Sequence, residues 1–282
     1  MGMSIQTNPG AEFAAIAAKR AAEMMDTAMI RLSSGKRINS AKDDAAGIQV
    51  AIRMEAEING LASSLRNAGD AQAAIDTAEG ALAEVHTLLL RMREIAVSAA
   101  SDTNTDADRD SLQIEVGALE TEITRIGTST TWGGINLLDG SFSKASPITF
   151  QIGPKNGNNI KVTLGYVHAT VAADSQGTLG LDGTVTTQTS AGNYISTIDA
   201  AISIVSTRRG ALGATSNRLD STLANLENMR ANLVAAKGAV VDADFAEETA
   251  RLARAQILLQ AATAMLSQAN ASKNQMLALI NS

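Results

Sequence analysis

The chain is 282 residues long, enough for one large domain or two small ones, and is 45% hydrophobic yet only 2% aromatic. Its 23 Lys and Arg stand against 29 Asp and Glu, a net charge of −6, so no basic excess exists to neutralise a nucleic-acid backbone. The absence of cysteine excludes disulfides, thiolate metal sites and cysteine nucleophiles.

Ala, Leu, Ile, Val and Met carry the apolar content. Without aromatics, which supply the largest single burials of compact cores, such a composition suits long, thin helical interfaces. No run approaches the roughly 20 apolar residues of a membrane span. The short apolar patch Phe13–Ala18 has no positive charge before it, so it does not read as a secretory signal.

In chain order, Phe13–Leu32 reads as a weakly amphipathic helix. Arg31–Gly47, RLSSGKRINSAKDDAAG, interrupts it with charges of both signs and a central Gly35. Asp43 and Asp44 are adjacent, so their side chains point about 100° apart on a helix and form no facing acid–base couple. Pairing with Arg31, Lys36, Arg37 or Lys42 is their expected role. From Asn59 to Ala99, Leu61, Ala68, Ile75, Leu82, Leu89 and Ala96 recur every seven residues. Ala71, Ala78, Val85, Met92 and Ala99 form the companion row. At about 1.5 Å per residue this helix would be roughly 60 Å long, a rod rather than a globule.

The turn and N-cap cluster Ser101–Asp106 precedes a third helix with Leu112, Val116, Leu119, Ile123 and Ile126 on one face. Gly127–Asn193 is rich in Gly, Thr, Ser and Asn. Within it Ile148–Ile152 and Ile160–Leu164 alternate around Asn156-Gly157, a hairpin signal. Thr178–Ser190 has no period and reads as loop or short strand. Lys144, Lys155 and Lys161 balance Asp174, Asp182 and Asp199, and the region reads as solvated. Beyond Tyr194 the chain is helical again, with Leu212, Leu219, Leu226, Leu233 and Val240 every seven residues and Leu223 between them. The fold expected is mostly α: a long antiparallel helical bundle with a small β-hairpin region in the middle. In Phe245–Ile280 the run AQILLQAATAML is apolar on nearly every side. Such a helix is normally buried all round, which points to burial against other copies of the chain.

Catalytic chemistry is hard to place. His86 lies beside the seam and His168 follows a strand, with no further His or Cys to complete a zinc site. Ser34-Gly35-Lys36 lacks the earlier glycine and the following Ser or Thr of a phosphate loop, since Ile30 and Arg37 stand there. GTLGLDG has the wrong spacing for a dinucleotide fingerprint. A lipid-surface helix would need basic, aromatic-flanked faces, which these helices lack.

RLSSGKRINSAKDDAAG closely resembles the signature of bacterial flagellins, the subunits of the flagellar filament. Asn59–Val85 and Leu89–Val116 are similar to that family's long rod helix and the turn into its second helix. TTWGGINLLDG (Thr130–Gly140) resembles its TxFNGxxLLDG with Trp132 for Phe, and Asp242–Asn270 is similar to its C-terminal helix. The first helix departs from the family's SLxAQRNL-like run, and the middle is short. Hook–filament junction proteins share the terminal helices, but their spoke usually carries a proline-containing variant.

The resemblance implies a secreted structural subunit, without cofactor, that polymerises into an extracellular filament for motility. Residues 1–32 and 241–282 would be inner helices paired as a coiled coil, 33–47 the spoke, 48–140 and 194–240 the rod, and 141–193 the central hairpin region. Ser33, Ser34 and Gly35 would break the helix, and Asn39 and Ser40 cap the next one. Arg31, Ser34, Gly35, Arg37, Asn39, Asp43 and Asp44 would make the spoke and subunit contacts. Phe245, Leu252, Ile257, Leu258, Leu259, Met265 and Leu266 would drive assembly. The partners implied are other copies of the chain, an export chaperone, the filament cap, hook-junction proteins and the flagellar type III export apparatus, with neither nucleic acid nor membrane. The family's recognition patch for an animal innate immune receptor maps onto Arg91, Ile95 and Glu115, with Ile95 in place of the usual Leu.

Overall fold

The computed structural model describes residues 7–142, 146–169 and 179–280, with side chains as far as 273. Lys144, Asp174 and Thr178 lie outside these. In order the elements are α1 (Pro9–Ser34), α2 (Ala45–Ala99), α3 (Asp106–Ser129), the short strands β1 (Thr131–Trp132) and β2 (Ile135–Asn136), β3 (Ile148–Gln151), β4 (Asn159–Val162), α4 (Gln188–Val241) and α5 (Phe245–Ile280). The described residues fall into two compact units. One holds the chain up to Ile58 and from Asn232 onward; the other is Asn59–Ala231. The helices α2 and α4 each contribute to both.

Unit Asn59–Ala231 is a three-helix bundle with a covered flank. All eleven seam positions expected on α2, from Leu61 to Ala99, are at most 2% exposed. On α4 the buried row begins earlier than the sequence suggested, with Ile198 and Val205 ahead of Leu212, Leu219 and Leu226. It fades after Leu226, since Leu233 and Val240 are only half-buried. Val116 and Ile123 of α3 are fully buried, with Leu112, Leu119 and Ile126 packed against the same core. Cross-helix pairs give the directions. Arg93–Asp199, Glu79–Arg209 and Gln72–Ser216 run α2 against α4. Arg91–Glu115 runs α2 against α3.

The α2–α3 turn is closed by a residue the sequence did not single out. The Arg109 guanidinium is buried and donates to the carbonyls of Ala99 (2.9 Å) and Ser101 (2.9 Å), satisfying orphan acceptors at the end of α2. Thr105 and Asp108 form a capping box at the start of α3.

The central region is not the solvated segment expected. Ile160, Val162, Leu164, Val167, Leu179, Leu181 and Val185 all enter the bundle core. The β3–β4 hairpin forms where expected, with Ile148 opposite Val162 and Gly157 at φ 87° in the turn. A second hairpin, β1–β2, turns on Gly133-Gly134, both at positive φ. No strand forms over 179–187. That stretch is instead an irregular strap: Leu181 N–H donates to the Ala169 carbonyl (2.9 Å) and Val185 N–H to Gln113 Oε1 (2.7 Å). The strap closes over Tyr194, where a Cβ added to Gly183 would lie 2.0 Å from the ring. Tyr194, 1% exposed, donates its hydroxyl to Glu120 Oε1 at 2.6 Å.

Burial, and then the Glu120 hydrogen bond, push the Tyr194 phenol well above its ordinary 10.0. Burial likewise raises Glu120, with the nearby Asp182 charge adding to it and the tyrosine hydrogen bond opposing it. Two outcomes are expected. Leu89→Ala, at a position 0% exposed, lowers stability in urea unfolding by about 2–5 kcal/mol. Ile114→Ala, at a 76% exposed position, stays within about 0.5 kcal/mol. Tyr194 contributes stability in full below pH 10.0, and that contribution declines as the unfolded chain's phenol ionises above it. The drop in urea midpoint between about pH 8 and about pH 11 therefore shrinks in Tyr194→Phe; an equal drop in both proteins would remove Tyr194 from the alkaline response.

Candidate assembly surface

Unit one is built on the antiparallel pair α1–α5. Asn8 caps α1, its side chain accepting from Ala11 N–H (3.2 Å), and Pro9 takes the first helical position. Asp244 does the same for α5, accepting from Ala246 and Glu247. The face α1 turns to its partner is Ala14, Ala21 and Ala28; α5 answers with Glu248, Ala255 and Ala262. At one end Asn8 Nδ2 donates to the Ala269 carbonyl (3.1 Å). At the other, Arg31 pairs with Glu248 (3.0 Å), both largely buried.

The large apolar side chains lie on the outside. Phe13 is 73% exposed, and Ile16, Met24, Met29 and Ile30 are exposed along α1. Of the residues expected to drive assembly, Phe245 (68%), Ile257 (65%), Leu258 and Met265 are exposed. Leu252, Leu259 and Leu266 are half-buried, forming the companion row to the alanine seam. No helix among the described residues is long and apolar enough to cross a membrane.

The spoke residues come together; Arg31 pairs with Glu248, but Asp43 and Asp44 take other roles than charge pairing. The helix α1 ends on Gly35 at φ 68°, the left-handed conformation that glycine adopts without strain. The backbone then pairs with the α4–α5 junction. Arg37 N–H donates to the Val241 carbonyl (2.7 Å), Ala243 N–H to that of Gly35 (3.0 Å), and the Arg37 guanidinium to that of Val240 (2.8 Å). Neither Asp43 nor Asp44 forms an ion pair among the described residues. Asp44 caps α2, accepting from Ala46 (3.0 Å) and Gly47 (2.9 Å), the role expected of Asn39 and Ser40. Asp43 accepts from the Ser40 and Asn39 N–H groups and the Ser40 hydroxyl, which hold its carboxyl below the usual range. Asn39 donates its amide to the Lys36 carbonyl, and Ser34 Oγ lies 3.4 Å from the Arg31 and Lys36 carbonyls. Unpaired backbone N–H donors lie nearer than any cation: Asp44 takes those at the start of α2, and Asp43 those of the turn before it.

In the Asn59–Ala231 unit, Arg91 and Glu115 form an exposed ion pair (2.8 Å), and the hydrogen bond to Glu115 raises the guanidinium further. Ile95 is buried, 3% exposed, and is not part of that surface. The buried arc of α2 is wider than its two seam rows because α2 packs against both α3 and α4. His86 is half-buried, and His168 stacks on Tyr166 at 5.6 Å.

Two family descriptions match the chain in order: the bacterial flagellin N-terminal helical region over residues 5–143 and the C-terminal helical region over 195–280. A flagellin of Halalkalibacterium halodurans is 40% identical over 203 residues, 70% of either chain. Flagellin E of Vibrio cholerae is 44% identical over 164 residues, 58% of this chain and 43% of its own length; the chain thus spans less than half of that relative. Among solved structures, a flagellar hook-associated protein of Vibrio parahaemolyticus superposes with a TM-score of 0.58 at 17% identity, covering 71% of this chain and 99% of that one. That likeness is one of fold. Both matched regions, and a relative matched over 70% of its length, identify the chain as a member of the bacterial flagellin family.

Proposed function

We propose that the chain is a structural subunit of the flagellar filament, and that it polymerises through the α1–α5 pair. One observation carries this reading. The pair is inside out, with alanine between the helices and Phe13, Met24, Phe245, Ile257 and Met265 facing outward. Exposed apolar rows of this extent mark an interaction surface, and only apolar partners can cover them. Copies of the same chain offer such surfaces in register. The spoke then carries the chain from the α1–α5 pair towards the Asn59–Ala231 bundle, with no catalytic centre required.

The family resemblance supports the rest. Secretion would pass through the flagellar type III apparatus, with a chaperone covering the outward apolar rows before export. The filament cap and hook-junction proteins would meet the polymer at its ends, and motility is its purpose. An animal flagellin receptor would meet Arg91 and Glu115 on the surface, whereas Ile95 is hidden beneath. The junction-protein alternative is less favoured, because the spoke here carries INSAKDDAAG.

Deleting Gln268–Ser282 removes the Asn8 contact at Ala269 and the C-terminal end of α5. The expected result is loss of filaments by electron microscopy of the concentrated, seeded protein, with the helical circular dichroism of the Asn59–Ala231 unit retained. Normal filaments from the truncated chain would overturn the assignment of assembly to the terminal pair.

A further inference from the structure

The two flanks of the α1–α5 pair differ in charge. On one flank a groove of about 690 Å³ runs between the helices, lined by Arg20, Met24, Arg31, Arg251, Arg254 and Leu258, with Glu23 and Glu248 as its carboxylates. Glu248 is engaged by Arg31 and Arg251, and Arg251 also by Glu247. Arg20 and Arg254 have no ion-pair partner among the described residues, although both line the groove. Its walls are apolar where Met24 and Leu258 stand.

At 100° per residue, the far flank of α1 presents Asp26, Met29, Ile30 and Ser33. Asp26 is exposed and has no ion-pair partner among the described residues. Met29 and Ile30 beside it are exposed as well. One flank thus holds the unpaired Arg20 and Arg254 with one unpaired carboxylate, Glu23, among apolar side chains, and the other holds the unpaired Asp26 among apolar side chains. Arg20, Arg31, Arg251 and Arg254 outnumber Glu23 and Glu248 in the groove, so it complements the Asp26 flank better than it complements itself. A contact of that kind is heterologous, joining one copy head-to-tail to the next, and such contacts generate open helical polymers rather than closed dimers.

We propose that the occupant of the arginine-lined groove is the Asp26–Met29–Ile30 ridge of a second copy of this chain. Asp26 meets Arg254 and Arg20 there, and Met29 and Ile30 pack against Met24 and Leu258. This rests on the filament reading, and it adds which faces meet and in which sense. The charges set the direction and register of addition, while the apolar side chains supply most of the attraction.

The test is seeded polymerisation of the full chain, read as the concentration of monomer left at equilibrium. Asp26→Lys and Arg254→Glu each place like charges across the contact and are expected to raise that concentration at least about tenfold. The double variant Asp26→Lys with Arg254→Glu restores a pair of reversed sign and is expected to recover most of the loss. Single variants that polymerise as the wild type would overturn the pairing while leaving the filament reading standing. A double variant no better than the singles would overturn it too, since folding defects add where a restored pair does not. Wild-type protein that never polymerises on seeds would sink both readings.

Discussion

Alanine decides how α1 and α5 meet. Where methyl groups face one another, helices approach at the near end of the usual 8–10 Å separation, and little apolar area is hidden per turn. Ala14, Ala21 and Ala28 against Ala255 and Ala262 bury far less surface than leucines would. Ordering each residue costs about 1–2 kcal/mol of backbone entropy, which such a seam does not repay alone. The large apolar side chains that could repay it stand outside. On the filament reading, order in the terminal pair and association with further copies are one event. On the same reading the ends of the chain are completed only in the polymer.

The Asn59–Ala231 unit has the opposite distribution. Ile75, Leu82, Leu89 and Met92 are turned inward against Ile198, Val205, Leu212 and Leu219. Exposed ion pairs such as Arg93–Asp199 and Arg91–Glu115 lie outside, where they contribute little to stability but mark the antiparallel directions. Among the described residues the only fully buried aromatic is Tyr194, and its placement explains the strap. A phenol so enclosed needs a partner for its hydroxyl, which Glu120 provides. It also needs a cover thin enough to lie flat on the ring, which Gly183 provides.

Which features were legible follows from the range of the interaction behind each. The seven-residue rows of α2 were readable because one helix repeats one environment, and every position in them is buried. The α3 face and the β3–β4 hairpin are equally local patterns. The strap was not readable: its backbone has no period, so Leu179, Leu181 and Val185 carry no alternation to count. Asp43 and Asp44 were misread because opposite charges nearby in sequence are conspicuous, whereas backbone N–H donors are not. The Gly133-Gly134 turn was visible in the letters as a hairpin signal and was read only as part of a longer motif. Arg31 was assigned to the spoke, but its partner, Glu248, stands 217 residues away. Nothing local marks such a pair.

That distant pair resolves a difficulty the alanine seam creates. Ala14, Ala21 and Ala28 are spaced by seven, as are Ala255 and Ala262, so the two helices could slide by a heptad and find the same methyl contacts again. A slip of seven residues would set Glu248 opposite Met24 instead of Arg31. A carboxylate that is 4% exposed would then have lost the cation holding it across the interface. A buried ion pair adds little net stability over an apolar contact, yet removing one partner typically costs about 3–5 kcal/mol. Its effect here is therefore on register rather than on strength. The contact of Asn8 with the Ala269 carbonyl acts in the same direction at the opposite end. With both ends specified, a seam of identical small residues has one alignment, and the outward rows of large side chains present one fixed pattern to whatever covers them.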